Sequence, residues 1–388
     1  MVTPVCPYYS SCSGCSLQHL DYTQQLENKK KNVAKLLKLG NLNDTLNNNN
    51  NNNNNIQVFS AEPFYYRNRL EFWFHSQGMG LRKKDHPAEI IDVQQCPIVL
   101  PRINELLLEL RAEFSNVNAF NLRTKTGLFR QAVIRATTTG DSSISFVLNE
   151  DAPEKAIKSA QEEIKAFADK TTANNVLITF VPAEVDEAYS ANYQVIKGKD
   201  YLTEELLGKR FCYSIQGFFQ NNSTMAEKML EYVCGLLKKH SPTETELLDL
   251  YSGVGTFGLT NSALFKKVIL VENVPAAITF AKQNIAENKI TNASAYALQA
   301  HQLSRINFAK DKELVVVADP PRTGMDQKTI VKLNTLKPKV IIYVSCNPTQ
   351  LAKDLVKFKQ YKLNSVALFD LFPQTVHSEV IVELVYQK

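Results

Sequence analysis

Four short apolar runs in the second half of the chain, ELLDLYS, KVILVEN, ELVVVADPP and KVIIYVS, are each followed by sequence of helical character. Runs that are apolar on both faces belong to strands buried on both faces, and strands alternating with helices run parallel. From about Thr203 onward the chain is therefore expected to form an open α/β sheet. Two last runs, SVALFDLF and EVIVELVY, joined by PQTVHS, read as a hairpin that makes the final strand antiparallel.

The rest of the chain has other rhythms. From Phe64 to about Ile196, LEFWFHSQGMGLRK, FRQAVIRATT, SISFVL and NVLITFVP are strand-like, while LPRINELLLELRAEF and APEKAIKSAQEEIKAFADK are helix-like, which predicts a central α+β domain. Near the N-terminus, Leu26, Val33, Leu36 and Leu37 fall at helical spacing, and Lys29, Lys30, Lys31, Lys35 and Lys38 would form a basic outer face. Asn47–Asn55 is unbroken asparagine, has nothing apolar to bury, and is expected to be a disordered inserted loop. The expected division is 1–60 for the cysteine cluster, basic helix and asparagine loop, 61–200 for the central domain, and 201–388 for the α/β domain.

A length of 388 residues exceeds one ordinary core and agrees with two or three domains. With 44% hydrophobic and 21% charged residues, no run near a membrane span and no basic-then-apolar leader pattern, a cytoplasmic protein without a membrane partner is expected. The net charge of +5 suits an RNA partner without demanding one. Of seven cysteines, Cys6, Cys12 and Cys15 crowd the N-terminus, a spacing more often used for metal than for disulfides in a reducing compartment. Cys212 and Cys234 have no motif around them and are expected to pack.

Gly253, Gly255 and Gly258 spell G-x-G-x-x-G between a strand and a helix, and Glu272 ends the next strand. Such a loop lets a ligand approach the backbone while the acid takes ribose hydroxyls, so it fits a nicotinamide dinucleotide and S-adenosylmethionine alike, or a purely structural turn. Two further strand ends separate these readings. Asp319-Pro320-Pro321-Arg322 closes one run, and Ser345-Cys346-Asn347-Pro348 closes another, with Glu379 opening the last. A strand-end cysteine beside a carboxylate is a nucleophile-and-base layout that a dehydrogenase does not need.

Taken in order, FFQNN (218–222), DLYSGVGTFGL, VEN with Glu272, DPPR, SCNP and HSE (377–379) resemble the RNA uracil-5-methyltransferases. The resemblance also takes in the C-x5-C-x2-C cluster, YRNR at Tyr66–Arg69 and QCP at Cys96. It implies a class I S-adenosylmethionine-dependent methyltransferase sheet, Rossmann-like with an antiparallel last strand, beside an α+β central domain and a small iron–sulfur N-terminal region. It implies that Cys6, Cys12, Cys15 and Cys96 hold a [4Fe–4S] cluster, although four cysteines by themselves equally allow zinc. S-adenosyl-L-methionine would be held by Gln220, Tyr251, Glu272 and Asp319, with a looser match at Thr256 and Gln299. Cys346 would be the nucleophile and Glu379 the general base. Arg322 would face a uracil carbonyl or a phosphate, or form a surface salt bridge.

Some relatives begin with an RNA-binding β-barrel, which this chain is expected to lack. The short form with a cysteine cluster is closest to the bacterial RlmC type, which modifies uracil 747 of 23S ribosomal RNA. Transfer-RNA relatives generally lack the cluster, which argues for 23S rRNA as partner, met before or during ribosome assembly, with no obligate protein partner. The alternative within the family is a uracil-5-methyltransferase of tRNA or of another rRNA site; a nicotinamide oxidoreductase and a catalytically silent RNA-binding protein are the alternatives from other classes.

Overall fold

The computed structural model describes residues 1–39, 56–76, 78–240, 244–308 and 313–387, so the asparagine run Asn47–Asn55 lies outside the described residues. The chain opens with helix α1 (Tyr22–Leu39) and the short strand β1 (Gln57–Phe59). A first sheet follows from β2 (Arg69–His75), β3 (Gly78–Lys83), β4 (His86–Asp92), β5 (Phe129–Ala136), β6 (Ser142–Asn149), β7 (Asn175–Val181) and β8 (Tyr193–Lys197). Helices α2 (Pro101–Glu113) and α3 (Glu154–Lys170) interrupt it. The hairpin β9 (Tyr201–Leu206) and β10 (Lys209–Ser214) precedes α4 (Ser223–His240).

The remaining elements are β11 (Glu246–Leu250), α5 (Thr256–Thr260), β12 (Lys267–Glu272), α6 (Pro275–Glu287), β13 (Ala293–Ala297), β14 (Leu314–Ala318), α7 (Gln327–Leu336), β15 (Val340–Ser345), α8 (Pro348–Leu355), β16 (Tyr361–Phe369) and β17 (Glu379–Tyr386). Among the described residues, no helix is long and apolar enough to cross a membrane.

Two compact units result. One holds Met1–Asp21, Glu62–Glu204 and Tyr213–Ser223; the other holds Tyr22–Ala61, Glu205–Cys212 and Thr224–Lys388. In the first, the strand order is β4-β3-β2-β5-β6-β7-β8. Every pairing is antiparallel except β6 with β7, whose connection contains α3. Parallel neighbours need a crossover, and the amphipathic α3 supplies it. Its core centres on Phe74, Phe114, Phe129, Phe146 and Phe167, with ring centroids 5.0–6.2 Å apart. Rings in contact at these spacings add about 0.5–1.5 kcal/mol per pair beyond the area they bury.

In the second unit the order is β1-β16-β17-β15-β14-β11-β12-β13. The four apolar runs are β11, β12, β14 and β15, all parallel, and β17 runs antiparallel between β15 and β16 as expected from the hairpin. Reversal of strand order falls between β11 and β14: the chain winds outward through β12 and β13, then returns to the other side of β11. Helix α1 belongs to this unit, and its buried stripe is Gln25, Lys29, Val33 and Leu37. Lys29 therefore leaves the predicted basic face. It is only 3% exposed and paired with Asp370 at 2.5 Å, because a charge carried into the interior needs a counter-charge.

Candidate active site on the sheet edge

Strand register collects the candidate residues. Leu250 pairs with Val271 on one side and Ala318 on the other, Ala318 pairs with Tyr343, and Ser345 pairs with Val380. The residues just past these pairs, Tyr251, Glu272, Asp319, Cys346 and Glu379, therefore share one edge across five adjacent strands. Since β17 runs opposite to its neighbours, its first residue meets their last ones. This is the edge where open α/β sheets bind ligands, outside the strand C-termini at the switch in strand order.

On one side of the switch, a cavity of about 460 Å³ is lined by Tyr251, Val271, Glu272, Leu298, Gln299 and His301, among others. Its size falls in the roughly 300–1,000 Å³ range of small-molecule pockets. Tyr251 follows β11 with φ 59°, a left-handed conformation that costs a side-chain-bearing residue energy and clusters at functional sites. Burial pushes its hydroxyl up to about 12. The Glu272 carboxylate accepts hydrogen bonds from the N–H groups of Gly253 (3.1 Å), Asn273 (2.7 Å) and Val274 (2.9 Å), which ties the glycine loop to β12.

Two glycines of the loop serve different ends. At Gly253 (φ 53°) a Cβ would meet nothing within 4 Å, so open space lies there for a ligand; at Gly258 it would sit 2.4 Å from Leu270 Cδ2. Gln299 lines the cavity, whereas Thr256 opens the short helix α5, where its carbonyl accepts the Thr260 hydroxyl. Sequence reasoning passed over Asp249. Wholly buried, it accepts the Gly258 N–H at 2.7 Å through one oxygen and has no partner for the other. Burial pushes its carboxyl up to about 8. An acid set between leucines, Asp249 in the run ELLDL, was the available signal.

Across the switch, the SCNP and DPPR segments hold each other. The Ser345 hydroxyl accepts the Asn347 N–H at 3.2 Å. The Asn347 side chain caps α8 by accepting the Gln350 N–H at 3.3 Å, and its amide donates to the Arg322 carbonyl at 3.0 Å. Pro348 at the first helical position suits this start. From the far end of α8, the buried Asp354 accepts the Met325 N–H (3.1 Å) and the Tyr343 hydroxyl (2.9 Å). Motif residues that look catalytic as a set thus include several whose work is to join two strand-end loops.

Electrostatics tie the charged members together. Burial holds both Asp319 and Glu379 well above the usual carboxylate range; for Glu379 the Asp319 charge adds to burial and the Arg322 charge opposes it. The Cys346 thiol is pushed up to about 11, first by burial, then by the charges of Glu379 and Asp319, against Arg322, which also hydrogen-bonds it. As it stands the site keeps this thiol protonated, whereas a nucleophile must be a thiolate. Arg322 is itself exposed, yet its charge acts on both Cys346 and Glu379.

In the first unit, Cys6, Cys12, Cys15 and Cys96 line one cavity, although Cys96 stands far from the others in sequence. Backbone anchors set them: the Cys6 N–H donates to Gln18 Oε1 (3.0 Å), the Gly14 N–H to Cys12 Sγ (3.3 Å), and the Cys96 N–H to Asn104 Oδ1 (2.8 Å). Burial raises all four thiols, Cys15 to about 11 and Cys96 to about 12, and repulsion among the four contributes to the last three. Among the described residues, no group of three His, Cys, Asp or Glu side chains forms a site for a metal ion as it stands. Gln220 also belongs to the first unit, where its carbonyl accepts the Asn68 amide at 2.9 Å. Cys212 is buried as expected, with its thiol donating to the Glu287 carboxylate at 3.5 Å, whereas Cys234 is only half-buried.

Residues 21–387 match the family described as tRNA (uracil-5-)-methyltransferase. An uncharacterised RNA methyltransferase of Caldanaerobacter subterraneus subsp. tengcongensis is 32% identical over 97% of this chain and 83% of its own length. The tRNA (uracil(54)-C(5))-methyltransferase of Pyrococcus horikoshii is 29% identical over 98% and 85%. The crystal structure of the Pyrococcus abyssi tRNA (uracil-54, C5)-methyltransferase in complex with S-adenosyl-L-homocysteine has a TM-score of 0.77 at 26% identity, covering 96% of this chain and 86% of that one. The chain belongs to the tRNA (uracil-5-)-methyltransferase family and has its α/β methyltransferase fold.

Proposed function

We propose that the protein methylates carbon 5 of a uridine in RNA, with Cys346 as nucleophile and Glu379 as general base. One observation carries this reading: strand register sets Asp319, Cys346 and Glu379 side by side on the edge that holds the Tyr251–Glu272 cavity. Tyr251, Glu272, Asp319 and Gln220 are proposed to hold S-adenosyl-L-methionine. Open space at Gly253 and a carboxylate beside it suit a ligand rich in hydroxyls, with Gln299 as a further contact. When bound, that donor supplies the methyl group as a sulfonium cation, whose charge also favours a thiolate nearby.

Carbon 5 of uracil is a weak nucleophile. The Cys346 thiol gives its proton to water and its sulfur bonds carbon 6, which leaves an enolate; carbon 5 then takes the methyl group as the donor's sulfur–methyl bond breaks and the neutral thioether leaves. Glu379 then accepts the proton from carbon 5, the ring double bond re-forms, and the sulfur–carbon bond breaks to free Cys346. A carboxylate of raised proton affinity is the better base for that step once ionised. Arg322 opposes the charges that raise the Cys346 thiol and so steadies the thiolate, and it would meet a uracil carbonyl or a phosphate. A paired base cannot reach such an edge, so the nucleotide is flipped out.

Cys6, Cys12, Cys15 and Cys96 are proposed to hold a [4Fe–4S] cluster. The donor set fits, being four soft thiols on one cavity with no harder ligand required. Cys6, Cys12, Cys15 and Cys96 would hold it as thiolates, and the positive charge of the iron would offset the burial that keeps each thiol protonated.

Uracil 747 of 23S rRNA in the cytoplasm, met before or during ribosome assembly, is the proposed target. A second reading, uridine 54 of transfer RNA, is favoured by the likeness to two tRNA (uracil-54) enzymes over nearly the whole chain. Tritiated methyl transfer into unmodified 23S rRNA and unmodified tRNA separates them. Label mapped to 5-methyluridine in 23S rRNA is the expected result, label in tRNA alone overturns that target, and label in neither overturns the activity.

A further inference from the structure

The interior of the second unit contains a polar cluster that the chemistry above does not use. Asp370, just past β16, has a side chain with no exposure. One of its oxygens meets Lys29 Nζ at 2.5 Å and the other accepts the Tyr22 hydroxyl at 2.9 Å. Lys29 also donates to the Phe372 carbonyl at 3.1 Å. Gln25 is paired twice with Gln374: its amide donates to Gln374 Oε1 at 2.9 Å, and its own Oε1 accepts the Gln374 N–H at 3.1 Å. Tyr22, Gln25 and Lys29 are three or four residues apart, hence on one face of α1.

All of these contacts land on the segment between β16 and β17, the segment that ends at Glu379. Gln374 there has φ 67°, a strained conformation that persists only where its surroundings enforce it, and Gln25 grips that same residue. Past it, the Thr375 hydroxyl donates to the Phe372 carbonyl (2.8 Å) and accepts the His377 N–H (3.2 Å), so the hold at 370–374 is passed on toward Glu379. A buried ion pair adds little net stability against apolar residues of the same volume, yet it fixes geometry. An apolar helix face could pack here without defining where the segment lies.

We propose that Tyr22, Gln25 and Lys29 are positioning residues that set this segment, and through it the place of the Glu379 carboxylate. This rests on the reading of Glu379 as the base that removes the carbon 5 proton. Proton transfer from carbon tolerates little misplacement, so loosening the clamp slows that step and leaves earlier ones alone.

The test uses the full chain and whichever unmodified RNA accepts label. Gln25→Ala and the charge-free pair Lys29→Met with Asp370→Asn are compared with Glu379→Gln. Donor affinity, formation of the covalent protein–RNA adduct and release of methylated RNA are measured separately. The expected result is adduct formation and donor affinity within about twofold of wild type, and release slowed by roughly tenfold to a hundredfold, as misplacement of a catalytic group does. Lys29→Arg should restore much of the release rate. Release at the wild-type rate in Gln25→Ala overturns the proposal, as does an equal fall of all three quantities, which marks a merely structural contact. Should Glu379→Gln itself release product normally, the base role fails instead, and the two failures are told apart.

Discussion

Cys346 is the residue on which the chemistry turns, and its surroundings work against it. Burial and two neighbouring carboxylates raise its thiol to about 11. The thiolate fraction then grows about tenfold per pH unit below that value. Alkylation of Cys346 in the free protein, followed site by site with mass spectrometry, should climb with pH between about 7 and 10 at a slope near one. A non-reactive sulfonium-bearing donor analogue should move the curve to lower pH. A flat profile would show that the thiol is already ionised and that Arg322 outweighs the carboxylates. Cys346→Ala removes the adduct and all methyl transfer while donor affinity stays. The motifs pointed to Cys346 and Glu379 but not to this electrostatic opposition, which depends on partners from two other strand ends.

At the scale of elements, hydrophobic patterning was most reliable where burial is complete. β11, β12, β14 and β15 are buried along almost their whole length, and their sequences say so. β13, ASAYA, was missed: among the described residues it is a half-exposed edge strand paired with β12, and it needs little apolar character. β1 was also missed, because its three residues become a strand only by pairing with β16. The glycine loop joins element to site. Gly258 has Leu270 Cδ2, Asp249 Oδ2 and Val268 Cγ1 within 3.1 Å of where a Cβ would stand. Gly258→Ala should therefore cost about 1–3 kcal/mol, as overpacking does, read as a lower denaturation midpoint at unchanged slope. It should also weaken donor binding, because α5 is pushed from β12. Wild-type stability would mean that Leu270 can turn aside.

At the scale of the molecule, separations along the chain lose their meaning. Cys96 joins Cys6, Cys12 and Cys15 on one cavity, and α1 reaches the segment before Glu379 near the other end of the chain. If the four thiols hold a cluster, anaerobically purified protein should carry about four irons per chain, a [4Fe–4S] complement. Cys96→Ser should lose most of that iron, and Cys212→Ser should keep it. Stoichiometric zinc in place of iron would overturn the cluster.

The class of fold and the short motifs are legible in the order of residues alone. Burial on both faces, the two strand-end motifs and the glycine spacing are local constraints, each complete within a few residues. What tertiary structure decided is everything set by register and by burial of charge. Register brought Tyr251, Glu272, Asp319, Cys346 and Glu379 to one edge. Folding turned Lys29 inward to Asp370, where helical periodicity had assigned it to solvent. A lysine is read as exposed because water stabilises its charge, and only a carboxylate arriving from the far end of the chain could replace that water.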